Sequence, residues 1–217
     1  MVFFDIEGTL VSNNTWKTMR SHPDVVQGRI RRAYAEVLPA WLLTKAKLLD
    51  DTQFRHYWVM AMAKLFGGWS QEQVIALFAW VASHVEYHQD VVEKLQQHKA
   101  NGDAVVLVSG IFEDGALQFA RYLGADDGIG TKLAYQTGIC TGKITGQSCA
   151  GSRKLDFIQG YMRSKNSAPD LAGSYAYADS YSDAPMLSAV GNPVATYPEE
   201  RLRELALTRG WTIFPAN

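Results

Sequence analysis

The sequence predicts an α/β protein: a doubly wound, mostly parallel sheet, interrupted by an all-helical insertion and carrying a small β-hairpin. Three observations lead there. Apolar runs at Val2-Phe-Phe-Asp5, Ala104-Val-Val-Leu-Val-Ser109 and Ser174-Tyr-Ala-Tyr-Ala-Asp179 each end in a polar side chain. From Tyr87 onward short apolar strands alternate with helices, the pattern of an open parallel sheet. Between residues 13 and 86 every periodic segment reads as helix and no strand run intervenes.

The elements follow in order. Residues 2 to 4 form the first strand. In the insertion, Ile30, Tyr34, Val37, Leu38, Trp41, Leu42 and Leu48 recur at helical spacing, with Pro39 expected to end or kink the helix. A second helix runs from Thr52 to Phe66 and stops at Gly67-Gly68. A third starts at Ser70, which forms a capping box with Gln73. The insertion's aromatics Trp16, Trp41, Tyr57, Trp58, Trp69 and Trp80, with Met60 and Met62, are expected to pack its core. Beyond it, strands are expected at 104–108, 174–178, 194–196 and 211–214, with helices at 91–99, 112–123, 154–163, 184–190 and 199–208. The Thr- and Gly-rich run from Lys132 to Cys149 reads as a hairpin laid against the sheet. The division is therefore 1–12 with 87–217 as the core, and 13–86 as the insertion.

Composition excludes several functions. With 21 Lys+Arg against 22 Asp+Glu, the chain lacks the basic footprint of a dedicated nucleic-acid binder. The most apolar helical segment, Tyr57 to Phe66, is short and carries Lys64, far from the roughly 20 apolar residues of a membrane span. The first residues read as a strand rather than a signal peptide, so a cytoplasmic protein is expected, with Cys140 and Cys149 as free thiols. Oligomeric state is not legible.

In a doubly wound sheet, ligands bind outside the carboxyl ends of the strands, so Asp5, Ser109 and Asp179 converge if their strands are parallel neighbours. Glu7 and Asp183 raise the crevice to as many as four carboxylates. Such a cluster calls for protonation or a cation, and Mg²⁺ suits an oxygen site that needs only one or two carboxylates. The five histidines, His22, His56, His84, His88 and His98, lie away from these strand ends, which argues against zinc. A carboxylate nucleophile, a hydroxyl, a cation and Lys154 together fit phosphoryl transfer. Asp5 can attack phosphorus. Ser109, the amides around Gly110 and the turn amides of Gly8 and Thr9 can donate to phosphate oxygens. Asp183, preceding Ala-Pro-Met-Leu, is also expected to cap the next helix.

Asp5-Ile-Glu-Gly-Thr-Leu10, Leu107-Val-Ser-Gly110, Lys154 and Ala178-Asp-Ser-Tyr-Ser-Asp-Ala-Pro-Met-Leu187 resemble, in order, the four motifs of the haloacid dehalogenase superfamily, subfamily IB, the phosphoserine-phosphatase-like hydrolases. The segments Thr141 to Lys154, Val190-Gly-Asn-Pro-Val-Ala and Arg209-Gly-Trp-Thr-Ile resemble the same subfamily. The resemblance implies a Rossmann-like core with 13–86 as a helical cap. It implies Asp5 as nucleophile, with Glu7, Ser109 and Lys154 as further catalytic residues. Mg²⁺ would be held by Asp5, the Glu7 backbone carbonyl and Asp179, supported by Asp183. It also implies a small-molecule phosphate ester as substrate, hydrolysed through an aspartyl-phosphate. Glu7 stands where the family usually has Asp, and Ala178 where it usually has Gly. Nine residues beyond Asp5, where phosphoserine phosphatases hold the substrate ammonium with an acid, stands Asn14, flanked by Asn13. Gly8, Thr9, Gly110 and Asn14 are the expected substrate-binding residues, and a substrate other than phosphoserine is expected. The apolar cap and the cluster Arg29-Ile-Arg31-Arg32 admit a lipid phosphate, such as a lysophospholipid or phosphatidylglycerophosphate, as the alternative substrate. A non-catalytic binding module of the same fold is the other alternative.

Overall fold

Strands that bury both faces read as continuous apolar runs, and three such runs lie at the centre of one six-stranded parallel sheet, whose strands stand in the order 127–131, 105–112, 2–4, 175–178, 192–196 and 212–214. The computed structural model describes residues 1–12, 14–25, 27–165 and 171–215, and at position 51 the backbone alone. The first residue of the expected insertion, Asn13, lies outside them. The strands are β1 (Val2–Phe4), β2 (Val105–Phe112), β3 (Asp127–Thr131), β4 (Leu133–Gln136), β5 (Ile139–Ile144), β6 (Tyr175–Ala178), β7 (Asn192–Thr196) and β8 (Thr212–Phe214). The helices are α1 (Thr15–Met19), α2 (Gln27–Lys45), α3 (Asp51–Ala63), α4 (Gln71–His84), α5 (Gln89–Ala100), α6 (Glu113–Leu123), α7 (Lys154–Ser164), α8 (Ala184–Ala189) and α9 (Glu200–Arg209).

Successive side chains of a strand point to opposite faces, and the core divides accordingly. Val2, Phe4, Val105 and Leu107 pack with α4, α5 and α6, whereas Phe3, Val106, Val108, Ala176 and Ala178 pack with α7, α8 and α9. β1 is central. It pairs in parallel with β2 (Phe4 opposite Leu107) and with β6 (Phe4 opposite Tyr177), so the three strands expected to be neighbours are neighbours.

Several local expectations are corrected. β3, with the sequence Asp-Gly-Ile-Gly-Thr, was not expected as a strand because two glycines disguise it. The glycines are required by close approach: a Cβ on Gly128 would sit 2.5 Å from the Ala116 carbonyl carbon, and one on Gly130 would sit 2.7 Å from the Glu113 nitrogen. β4 and β5 form the expected antiparallel hairpin, but its hydrogen bonds run to the helical segment rather than to the main sheet. Gly68 N–H donates to the Cys140 carbonyl (2.8 Å) and Cys140 N–H to the Trp69 carbonyl (2.7 Å), which satisfies a strand edge that would otherwise be bare. α2 runs through Pro39 to Lys45, because the carbonyl four residues back, that of Ala35, lies on the exposed face and can turn to water. Ser70 and Gln73 form the expected capping box.

The helices between β1 and α5 do not bury all their aromatics. Trp16 and Met62 are buried, and Trp58, Trp69 and Trp80 pack partly buried against the core. Trp41, Tyr57 and Met60 are exposed, contrary to the core role expected of them. Leu38, Leu42 and Leu48 are exposed as well, since helical spacing marks a stripe without saying whether anything covers it. Both cysteines are buried free thiols.

Candidate active site

The parallel register of β1, β2 and β6 brings Asp5, Ser109 and Asp179 to one crevice. Asp5 follows β1, its amide donating to the Tyr177 carbonyl of β6 (2.9 Å). Ser109 lies within β2, and Asp179 follows β6 directly. Lys154, the first residue of α7, reaches in from the opposite side and is buried. Its Nζ lies 2.7 Å from Asp5 Oδ1 and 2.8 Å from Asp183 Oδ2. Carboxylate oxygens of Asp5, Asp179 and Asp183 all lie within 4.8 Å of one another. Together with Glu7, Arg55, Ser109, Gly110, Ala150, Gly151, Ser180 and Glu199, these four residues line a cavity of about 160 Å³.

Three carboxylates and one ammonium leave surplus negative charge in a poorly solvated place. Burial, together with the charges of Asp5 and Asp183, pushes the Asp179 carboxyl well above the usual carboxylate range. Burial likewise raises Asp183, although Lys154 opposes this. Burial would lower the Lys154 ammonium, but Asp183 and Asp5 outweigh it and hold the lysine charged. One oxygen, Asp183 Oδ1, is buried with no hydrogen-bond partner among the described residues. A buried carboxylate oxygen without a donor, beside two further carboxylates, is the donor set of a hard divalent cation, and the residues present fit one.

Glu7 lies apart from this trio. Its Oε1 accepts from both the backbone N–H (3.2 Å) and the hydroxyl of Thr15, at the start of α1. Burial and the charge of Asp5 raise the Glu7 carboxyl, against the lowering effect of the Thr15 bonds. Glu7 is among the residues lining the cavity.

The remaining expected residues are distributed less evenly. Gly8 adopts φ +82°, and a Cβ there would fall 2.1 Å from Asp179 Oδ2, so only glycine lets the β1 turn lie against that carboxylate. Its amide is already bonded to the Val11 carbonyl (2.9 Å). The buried Thr9 donates its hydroxyl to Asp179 Oδ1 (3.2 Å), orienting a carboxylate from behind rather than lining the cavity. Ser109 Oγ accepts from the Ile111 amide (3.3 Å), which leaves its hydroxyl proton for another acceptor. Asn14 is exposed and caps α1, accepting from the Lys17 amide (3.1 Å), and it is not among the residues lining the cavity. Asp183 occupies the N-cap position of α8 but makes no capping bond, because Lys154 draws its carboxylate toward the crevice.

Sequence reasoning missed Arg55 and Glu199. Arg55 sits on α3 and approaches the Ser180 hydroxyl (3.5 Å), while Glu199 Oε1 accepts from the Tyr181 amide (2.7 Å). Neither belongs to a local motif, and only the fold brings them to the mouth of the site. A larger cleft of about 1410 Å³ shares Arg55, Ser180 and Glu199 with the cavity and extends to Lys47 and Leu48 beyond α2.

Known proteins resemble this chain in sequence and in fold. Residues 2–188 match the family of haloacid dehalogenase-like hydrolases. An inhibition of morphological differentiation protein of Streptomyces azureus is 29% identical over 97% of this chain and 76% of its own length. A phosphoserine phosphatase of Mycobacterium tuberculosis is 37% identical over 56% of this chain, a match spanning only 39% of that protein. Among solved structures, a Bordetella pertussis protein of unknown function superimposes with a TM-score of 0.81 at 26% identity, covering 98% of this chain and 96% of that one.

Proposed function

Because the chain belongs to the haloacid dehalogenase-like hydrolases and is a phosphatase of that family, we propose that it cleaves a small-molecule phosphate monoester through a phosphorylated Asp5 with Mg²⁺ bound. The observation that carries this reading is the convergence of Asp5, Asp179 and Asp183, two of them paired with one ammonium, with a buried oxygen of Asp183 lacking a donor among the described residues. Asp5, Asp179 and the Glu7 carbonyl would hold the ion, with Asp183 in support. When bound, the ion shields the charge that keeps an anionic nucleophile from an anionic ester.

The chain's own residues supply the rest. Lys154 fixes Asp5 Oδ1, leaving Oδ2 to attack phosphorus as the bond to the ester oxygen breaks. Glu7, whose carboxyl burial raises, gives its proton to the departing alkoxide. Glu7 then takes a proton from water as that water attacks phosphorus, the bond to Asp5 breaks and inorganic phosphate leaves. Ser109 and the backbone at Gly110 donate to the phosphoryl oxygens. The helices of 13–86 act as a cap, with Arg55 at the substrate end of the cavity. A cytoplasmic site of action accompanies this reading, and among the described residues no helix is long and apolar enough to cross a membrane.

The test is phosphate release from a panel of soluble and lipid phosphate esters, with and without Mg²⁺. Asp5→Asn is expected to lose at least about 10³-fold in kcat, roughly 4 kcal/mol of transition-state stabilisation, while remaining folded. Undiminished Mg²⁺-dependent release by that variant would overturn the assignment. Failure of the wild-type chain to turn over any ester, or to bind beryllofluoride with Mg²⁺, would favour the non-catalytic reading.

A further inference from the structure

The outer face of α2 is the feature that phosphatase chemistry does not use. Tyr34, Leu38, Trp41 and Leu42 recur at helical spacing on one side of the helix, and all are exposed, Leu38 at 53%, Trp41 at 44% and Leu42 at 54%. Just beyond the helix, Leu48 is 75% exposed. Its position is built rather than loose: Leu48 N–H donates to the Leu43 carbonyl (2.9 Å) and Lys47 N–H to the Thr44 carbonyl (2.9 Å), with Lys47 at φ +59°. A contiguous exposed apolar stripe of this kind marks a contact surface.

Charge identifies what the stripe meets. From position 27 to 48 the cations Arg29, Arg31, Arg32, Lys45 and Lys47 face one acid, Glu36, which is itself paired with Lys64. Arg31 and Lys45 fall on the same side of the helix as the apolar stripe, and Lys45 Nζ lies 5.7 Å from the Trp41 ring centroid. A second copy of the chain is a poor occupant, because an antiparallel two-fold contact centred on Leu38 would set Arg31 of each copy against Lys45 of the other, cation against cation. An apolar stripe with Trp and Leu, edged by Lys and Arg, instead matches a helix lying in the interface of an anionic bilayer.

We propose that α2 docks the protein onto an anionic membrane surface, with Leu38, Trp41, Leu42 and Leu48 entering the acyl boundary and Arg31, Lys45 and Lys47 meeting lipid headgroups. Lys47 and Leu48 also line the cleft that shares residues with the active-site cavity, so docking brings the mouth of that cleft to the lipid surface. The inference rests on the exposed face alone and stands apart from the catalytic reading.

The experiment is co-sedimentation of the full chain with vesicles of equal parts phosphatidylglycerol and phosphatidylcholine, compared with phosphatidylcholine alone. Binding to the anionic vesicles is expected to be strong, to be weak on the neutral ones and to fall with added salt. Arg31→Gln with Lys45→Gln is expected to weaken it about fivefold per charge. Leu38→Ser with Trp41→Ser and Leu42→Ser is expected to weaken it on the order of tenfold or more. Thermal melts and sedimentation velocity accompany each variant, since these side chains are exposed and their loss leaves the fold intact. Absence of binding, equal binding to both vesicle types, or a lipid-independent dimer that the apolar triple variant dissociates would each overturn the proposal.

Discussion

Two lysine–carboxylate groupings set the core apart from the helical insertion. Lys154 is buried between Asp5 and Asp183 at the end of the parallel sheet, whereas Lys64 meets Glu36 on the surface of the insertion. The first holds charges that have nowhere else to go; the second links two side chains that water would solvate equally well. The core therefore spends stability to hold a charged constellation in fixed geometry, while the insertion keeps its cations and apolar side chains on the outside, free to meet something else.

The sharpest break of this comparison is removal of each lysine. Lys154→Met strands two buried carboxylates and is expected to cost about 3–5 kcal/mol, or roughly 10 °C in Tm for a chain of this size. Lys64→Met is expected to cost no more than about 0.5 kcal/mol. Calorimetric or denaturant unfolding of both variants checks the contrast, and equal losses would show that burial does not govern it.

Next in size is Gly8→Ala. The added methyl meets the Asp179 carboxylate at 2.1 Å on a backbone at φ +82°, so clash and backbone strain act together. A loss of about 2–4 kcal/mol is expected, with phosphatase activity falling because Asp179 must move. A variant as stable and active as the wild type would show that the turn can relax without disturbing the carboxylates.

Much of this contrast is legible in the sequence, and the missing part has a physical pattern. β1, β2 and β6 announce themselves because strands buried on both faces read as apolar runs; β1 and β6 end just before a polar residue, whereas β2 continues past Ser109 to Phe112. Asp5, Ser109, Lys154, Asp179 and Asp183 follow from those ends and from the motifs around them. β3 is hidden because its glycines answer to the backbone of α6, a neighbour that local sequence does not reveal. Arg55 and Glu199 are hidden because they reach the site through packing of α3 and the entry to α9. The outer face of α2 is misread for the opposite reason: its periodicity is genuine, but periodicity is the same whether a stripe is covered or bare.

A smaller effect separates the bare carboxylate trio from the rest of the core. Folding raises the carboxyls of Asp179 and Asp183, by burial first and by neighbouring charge second. The folded chain therefore binds more protons than the unfolded chain above the ordinary carboxylate range. Stability without metal is expected to fall as pH rises from about 5 to 8, and to recover when Mg²⁺ is added. Asp179→Asn removes one of these groups and is expected to raise the metal-free Tm at pH 8 by about 2–4 °C, corresponding to about 1 kcal/mol, while abolishing the Mg²⁺ response. A metal-free Tm that climbs over the same interval would contradict the charge arrangement.

The smallest effect tests the junction of the two regions, where Thr15 of the insertion holds Glu7 of the core. Burial raises the Glu7 carboxyl and the two Thr15 bonds lower it, so Thr15→Val removes part of the opposition and moves Glu7 further up. A general acid loses its proton as pH rises through its pKa, so the falling limb of kcat/KM is expected to shift to higher pH. The shift belongs to substrates whose leaving group needs that proton. An alkyl phosphate should show it, as a rate gain of roughly threefold on that limb, whereas an aryl phosphate with a stable phenolate should show little. Equal shifts for both esters would place the titration in binding or metal retention instead, and would remove Glu7 from the proton-transfer step.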